Sequence, residues 1–227
     1  MHYPDTTATH ARNHSNAKLK LSGDVFGALI NLSGRRRFTS QRVVLYAVLA
    51  SLGHDGAIET SLDALKLFRD AHIALVEGKG ELPGIFCDQL KDAYFGPLAG
   101  DKSIREFIHL AESALVAIKT DARRAPAMLD ELVRSATPLL AVLNALTLVY
   151  EEQSKRHAVV LKRQLLEMMT DIKTIAKQAR MVSFNAQIVA ARAGDAGREF
   201  KVVASVLTNI TGEIDDLVHQ ALSNSVA

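Results

Sequence analysis

At 227 residues, with 48% hydrophobic and 23% charged side chains and only 5 prolines, the chain can bury a core and is too apolar to remain largely disordered. Its formal net charge of +2 is too small to make nucleic acid binding its main role. The single Cys87 excludes an internal disulfide and a cysteine metal centre, as expected of a reducing compartment.

Residues 1–16, rich in Thr, His and Asn, read as a disordered leader without the apolar core of a signal peptide. No run approaches the ~20 apolar residues of a membrane span, so a cytoplasmic location is expected. From Ala17 to about Leu52 the pattern is helical, one face carrying Phe26, Ile30, Ser33, Arg37, Ser40, Val44 and Ala47. A turn at residues 53–56 precedes a second helix with Ile58, Leu62, Leu65, Phe68, His72 and Val76 inward, broken by Gly78, Gly80, Pro83 and Gly84. A short helical piece over 85–94 leads to Gly96-Pro97. A third long helix over 101–121 then turns Ile104, Phe107, Ile108, Ala111, Leu115 and Ile118 inward.

Beyond Arg124 the character changes. Leu139, Leu143, Leu146, Tyr150, His157, Leu161, Gln164, Met168, Ile172, Ile175, Ala179, Val182, Ala186 and Val189 recur mostly in steps of three and four, which predicts a supercoiled helix. Gly194 and Gly197 interrupt the pattern, and it resumes as Phe200, Val203, Leu207, Ile210, Ile214, Leu217 and Ala221. The expected fold is all-α: a helical bundle over 17–124, then an antiparallel coiled-coil hairpin over 125–227 that reverses near 194–197. Neither arm can bury its stripe alone, so two hairpins are expected to pair as a homodimeric four-helix bundle. Both glycines are expected to supply φ above zero, and Ala190, Ala191, Ala193 and Ala196 to let the arms approach closely.

Within the segment 175–204 stand Gln178, Asn185-Ala186, residues 190–195 (Ala-Ala-Arg-Ala-Gly-Asp), Gly197-Arg198, Phe200 and Val202-Val203-Ala204. Together they resemble the tip of the methyl-accepting chemotaxis protein signalling domain. The resemblance implies that Asn185, Arg192 and Val202 contact a chemotaxis coupling adaptor and histidine kinase, while Arg198, like Arg192, presents charge at the distal end where a partner would dock. Lys177, Arg180, Phe184, Val189 and Ser205-Val206 depart from the family pattern, and charge changes on a docking surface alter specificity more readily than fold. The arms are short and carry no clear methylation motif, so methylation-based adaptation is not expected.

Arg37 needs its own explanation, because a guanidinium in an apolar stripe is costly unless paired. If two copies of the first helix pack across a dimer axis, an anion between the two arginines would relieve their repulsion and accept forked hydrogen bonds. The pattern Asn31, Gly34, Arg37, Ser40, Arg42 resembles the N-terminal domain of type IV pilus methyl-accepting transducers (PilJ-type), as does Tyr94-Phe95-Gly96-Pro97. That resemblance implies a ligand site at Asn31, Ser33, Gly34, Arg37 and Ser40, with nitrate or a similar small anion as ligand. The competing reading pairs Arg37 with a carboxylate such as Glu59, Asp63 or Asp101, and leaves Arg35, Arg36 and Arg42 on a solvated face. His72 and His157 fit core or seam positions better than metal ligation. No nucleophile–base pair, phosphate loop or metal-ligand spacing was found, so neither an enzyme nor a cofactor or metal is expected. The resulting expectation is a cytoplasmic chemoreceptor-like transducer, and the alternative is a ligand-independent scaffold for chemotaxis or type IV pilus signalling components.

Overall fold

The computed structural model describes residues 21–226, so the expected leader over 1–16 lies outside the described residues. Six α-helices follow in order: α1 (Gly23–Ser51), α2 (Ala57–Glu77), α3 (Asp88–Phe95), α4 (Gly100–Lys119), α5 (Ala125–Arg192) and α6 (Arg198–Val226). Among the described residues there is no strand beyond an isolated bridge between Lys79 and Leu82, and the fold is all-α as expected. Ser22 caps α1, its side chain accepting from the Val25 N–H at 3.3 Å.

The chain divides into two compact units at Ser154 and Lys155, thirty residues beyond the expected boundary at 124/125. The reason lies in α5, which supplies residues to both. Its Leu132, Leu139, Leu143, Leu146 and Tyr150 are buried with Leu29, Leu65, Phe68, Tyr94, Ile104 and Leu115 from α1 to α4. The core of the first unit is therefore built from α5 as well as from α1 to α4.

On α4 the expected Ile104, Phe107, Ile108, Ala111 and Leu115 are buried, and Ile118 is half-buried. On α2 the buried face is Ser61, Ala64, Leu65, Phe68, Ala71, His72 and Leu75, whereas Leu62 is exposed. On α1 it is Phe26, Leu29, Ser33, Arg36, Thr39, Ser40, Val43, Val44 and Ala47. Arg36 therefore takes the interior place expected of Arg37, and it does not join a solvated face. Contrary to the expectation for the whole chain, α5 also contains an 18-residue window of mean hydropathy 1.6, long and apolar enough to cross a membrane by those criteria. Such criteria are weak grounds for a span, because a helix that closes a packed core meets them too.

In the second unit the late part of α5 and α6 touch in antiparallel order. Arg180 pairs with Asp215 at 3.5 Å, Gln187 donates to Thr208 at 3.1 Å, and Lys173 meets His219 at 3.3 Å. The buried positions form a single seven-residue series: Ala176, Ser183, Ala190, Gly197, Ala204, Thr211 and Val218. Glycine, alanine and serine at five of these seven positions let the arms lie close together. The close approach expected of Ala191, Ala193 and Ala196 is not made there; all three are exposed. The large apolar stripe is also exposed, with Ile175, Val182, Val203 and Leu217 each more than 60% accessible.

Candidate functional site

Two sets of residues were expected to act, and each lies within one unit. In the first unit the expected ligand residues divide between the surface and the interior, with Gly34 half-buried beside the Arg37 guanidinium. Asn31 is exposed, Ser33 and Ser40 are buried, and Arg37 is half-buried. Arg37 donates to Asn144 Oδ1 on α5 at 3.2 Å, so its partner is an amide rather than Glu59, Asp63 or Asp101. The Ser40 hydroxyl donates to the Arg37 carbonyl at 2.8 Å.

What the structure assembles instead is a polar layer around Arg36, which is fully buried. The Arg36 Nη2 donates to Ser33 Oγ at 3.1 Å, and Ser33 meets Thr147 Oγ1 at 2.9 Å. Thr147 in turn donates to the Leu143 carbonyl at 2.8 Å. Each hydroxyl thus accepts one bond and donates the next. On the other side Arg36 Nη1 lies 3.3 Å from His72 Nδ1, and His72 Nε2 lies 2.9 Å from Asp101 Oδ1. Only a neutral imidazole serves both neighbours, accepting at Nδ1 and donating at Nε2. Burial, with the Arg36 charge second, lowers the His72 pKa to about 4 despite the bond to Asp101.

Burial by itself would raise the Asp101 carboxyl, but hydrogen bonds from Arg105 and His72 hold it below the usual carboxylate range. The Arg36 guanidinium also sits 5.7 Å from the centre of the Tyr94 ring. Its Nε has no acceptor among the described residues. Beneath it Tyr94 and Tyr150 share a hydroxyl bond at 3.1 Å, and burial pushes the Tyr150 phenol well above its ordinary pKa. Sequence reasoning missed this layer. The available signal was the run Arg35-Arg36-Arg37, in which any one arginine could face inward.

The expected tip residues fall on the two arms of the second unit. Asn185, Arg192, Arg198 and Val202 are all exposed near the reversal. Arg198 makes a long, solvent-exposed pair with Asp195 at 3.8 Å, which contributes little. Arg192 has no ion pair among the described residues, so its charge is available to another molecule. The two turn glycines act differently from one another. Gly194 has φ +61°, as expected, whereas Gly197 does not adopt positive φ. A Cβ at Gly197 would instead strike the Ala190 backbone carbonyl, so the residue is required by close approach.

Set against known proteins, 49 residues of the chain, or 22% of it, are 49% identical to the methyl-accepting chemotaxis protein TlpQ of Pseudomonas aeruginosa. A segment of this chain is chemoreceptor-like. The match spans 7% of that receptor's length. No family model and no solved structure matches. The similarity is confined to that segment, and the rest of the chain is outside it.

Proposed function

We propose that the protein is a cytoplasmic, non-catalytic chemoreceptor-like transducer. Two copies pair through the apolar stripes of α5 and α6, and the tip residues Asn185, Arg192, Arg198 and Val202 engage a chemotaxis coupling adaptor and its histidine kinase. The observation that carries the reading is the 49-residue similarity to TlpQ. Support comes from the exposure of all four tip residues around a tight helical reversal. Capture of a purified coupling adaptor by the full chain tests it. Wild type should retain the adaptor and Arg192→Ala should lose most of it, with the helix content of both unchanged. Equal capture by the two proteins sinks the assignment of the tip.

The sensory half of the proposal treats the first unit as a PilJ-type bundle. A small anion such as nitrate would take the Arg37 N–H groups that Asn144 does not use. Such a ligand must prefer one helix packing over another if it is to signal. One observation favours a ligand-independent scaffold instead: the Ser33 and Ser40 hydroxyls already have partners inside the bundle. Calorimetry with nitrate and nitrite separates the two readings. Binding lost in Arg37→Ala supports a sensor, and no binding by wild type leaves the scaffold.

A further inference from the structure

The departures from the chemoreceptor pattern at Lys177, Arg180 and Phe184 fall around one feature of the second unit. A groove of about 640 Å³ is lined by Lys173, Lys177, Arg180, Met181, Phe184, Asn185, Thr208 and Asp215. Met181 and Phe184 are more than half exposed there and line the groove beside the cations. Lys173, Lys177 and Arg180 follow one another at steps of four and three, forming a row about 10 Å long on one face of the helix. Asp215 answers Arg180, but Lys177 has no ionic partner among the described residues.

The row also occupies a particular side of α5. At ~100° per residue it lies roughly 150° around the helix from the stripe of Ile172, Ile175, Ala179 and Val182. A second copy covering that stripe would leave the groove open. The groove is concave, has apolar anchors and is edged by cations at helical spacing, which is the complement of a helix with carboxylates at i, i+4 and i+7 beside large apolar residues. A flat anionic surface fits less well, since Asp215 stands in the wall.

We propose that this groove docks an acidic amphipathic helix of a partner protein. The proposal rests on reading the hairpin as a partner-engaging module and names the chemistry of one partner. Attraction between the rows would speed encounter and set register, while Met181 and Phe184 would hold the bound helix.

The test uses the full chain and a fluorescein-labelled helical peptide with Glu at i, i+4 and i+7 and Leu beside them, read by anisotropy. A peptide with Lys in place of each Glu is the control. The acidic peptide should bind wild type and the control should not. The exposed double change Lys173→Glu with Lys177→Glu should weaken the acidic peptide about tenfold or more and admit the lysine peptide. Phe184→Ala should weaken binding with circular dichroism unchanged. The proposal is overturned if the two peptides bind wild type alike, or if charge reversal leaves the acidic peptide's affinity untouched. It is also overturned if phosphatidylglycerol-containing vesicles bind and displace the peptide. The same holds if no peptide binds and sedimentation shows the double change abolishing self-association, which would make the groove a contact between copies. Arg192→Ala should keep full peptide affinity. Peptide binding that follows charge while adaptor capture fails would leave the groove standing and remove the adaptor reading alone.

Discussion

Arg36 is tolerated inside the bundle because its charge is relayed through a neutral imidazole to a carboxylate. The arrangement works only while His72 lacks its second proton, since an imidazolium would lose the acceptor at Nδ1 and face Arg36 directly. From the other elements Asp101 and Arg105 on α4 and the Tyr94 ring on α3 also face it. The folded-state pKa of about 4 lies below the ordinary 6.5, so the unfolded chain binds a proton that the folded chain refuses. Stability is complete above about pH 6.5 and falls as pH drops toward 4, by up to roughly 3 kcal/mol from this group. Urea unfolding at pH 7.5, 6 and 5 checks this against His72→Gln, which can still accept from Arg36 and donate to Asp101. The other seven histidines are common to both proteins, so the difference between them isolates His72. Wild type should lose about 2 kcal/mol more than the variant across that range. Equal losses would remove His72 from the account.

At the level of elements, the second unit depends on the absence of side-chain volume. Where the seven-residue series passes through the turn, Gly197 leaves no room for a Cβ because the Ala190 carbonyl stands against it. Gly197→Ala should therefore push the arms apart and lower the hairpin's stability by about 1–3 kcal/mol. Gly194→Ala meets no neighbour and carries only the left-handed backbone penalty of about 1 kcal/mol. Thermal unfolding followed at 222 nm should rank Gly197→Ala below Gly194→Ala, with exposed Ala196→Ser near wild type. The reverse order would mean that conformation rather than contact governs the turn.

The helices were legible because their apolar periodicity and Gly/Pro breaks are strong, and the reversal was legible from its glycines. The inward arginine was not, because neighbours in a three-arginine run differ by ~100° around the helix and carry the same side chain. The small-residue series was present in the sequence at a spacing of seven, but the bulkier stripe beside it dominates any count of hydrophobic residues. The unit boundary was obscured for a related reason. The heptad pattern runs unbroken through α5, whereas its partners change from α1–α4 to α6.

Taken as a whole molecule, the two units hold their helices by different means. The first buries aromatic and branched side chains from five helices, among them Phe68, Tyr94, Ile104, Leu143 and Tyr150. The second buries nothing larger than Val218 among its described residues, while Ile172, Ile175, Val182, Val189, Phe200, Val203, Ile210 and Leu217 remain exposed. A hairpin with so little buried apolar area cannot offset the entropy of ordering its arms. Burying those eight side chains in a second copy would contribute on the order of 1 kcal/mol or more for each. On the proposed pairing, stability of the hairpin then follows protein concentration by mass action, and that of the first unit does not. Two unfolding transitions are expected, with the hairpin's midpoint rising as concentration increases and the other's fixed. Val182→Glu with Leu217→Glu places charge in the stripe without touching the buried series. Sedimentation should show that variant as a monomer, and its hairpin transition should shift down or vanish while the bundle transition holds. A single concentration-independent transition in wild type would refute the pairing. A monomeric variant with both transitions intact would show that the stripe stabilises association but not the hairpin itself.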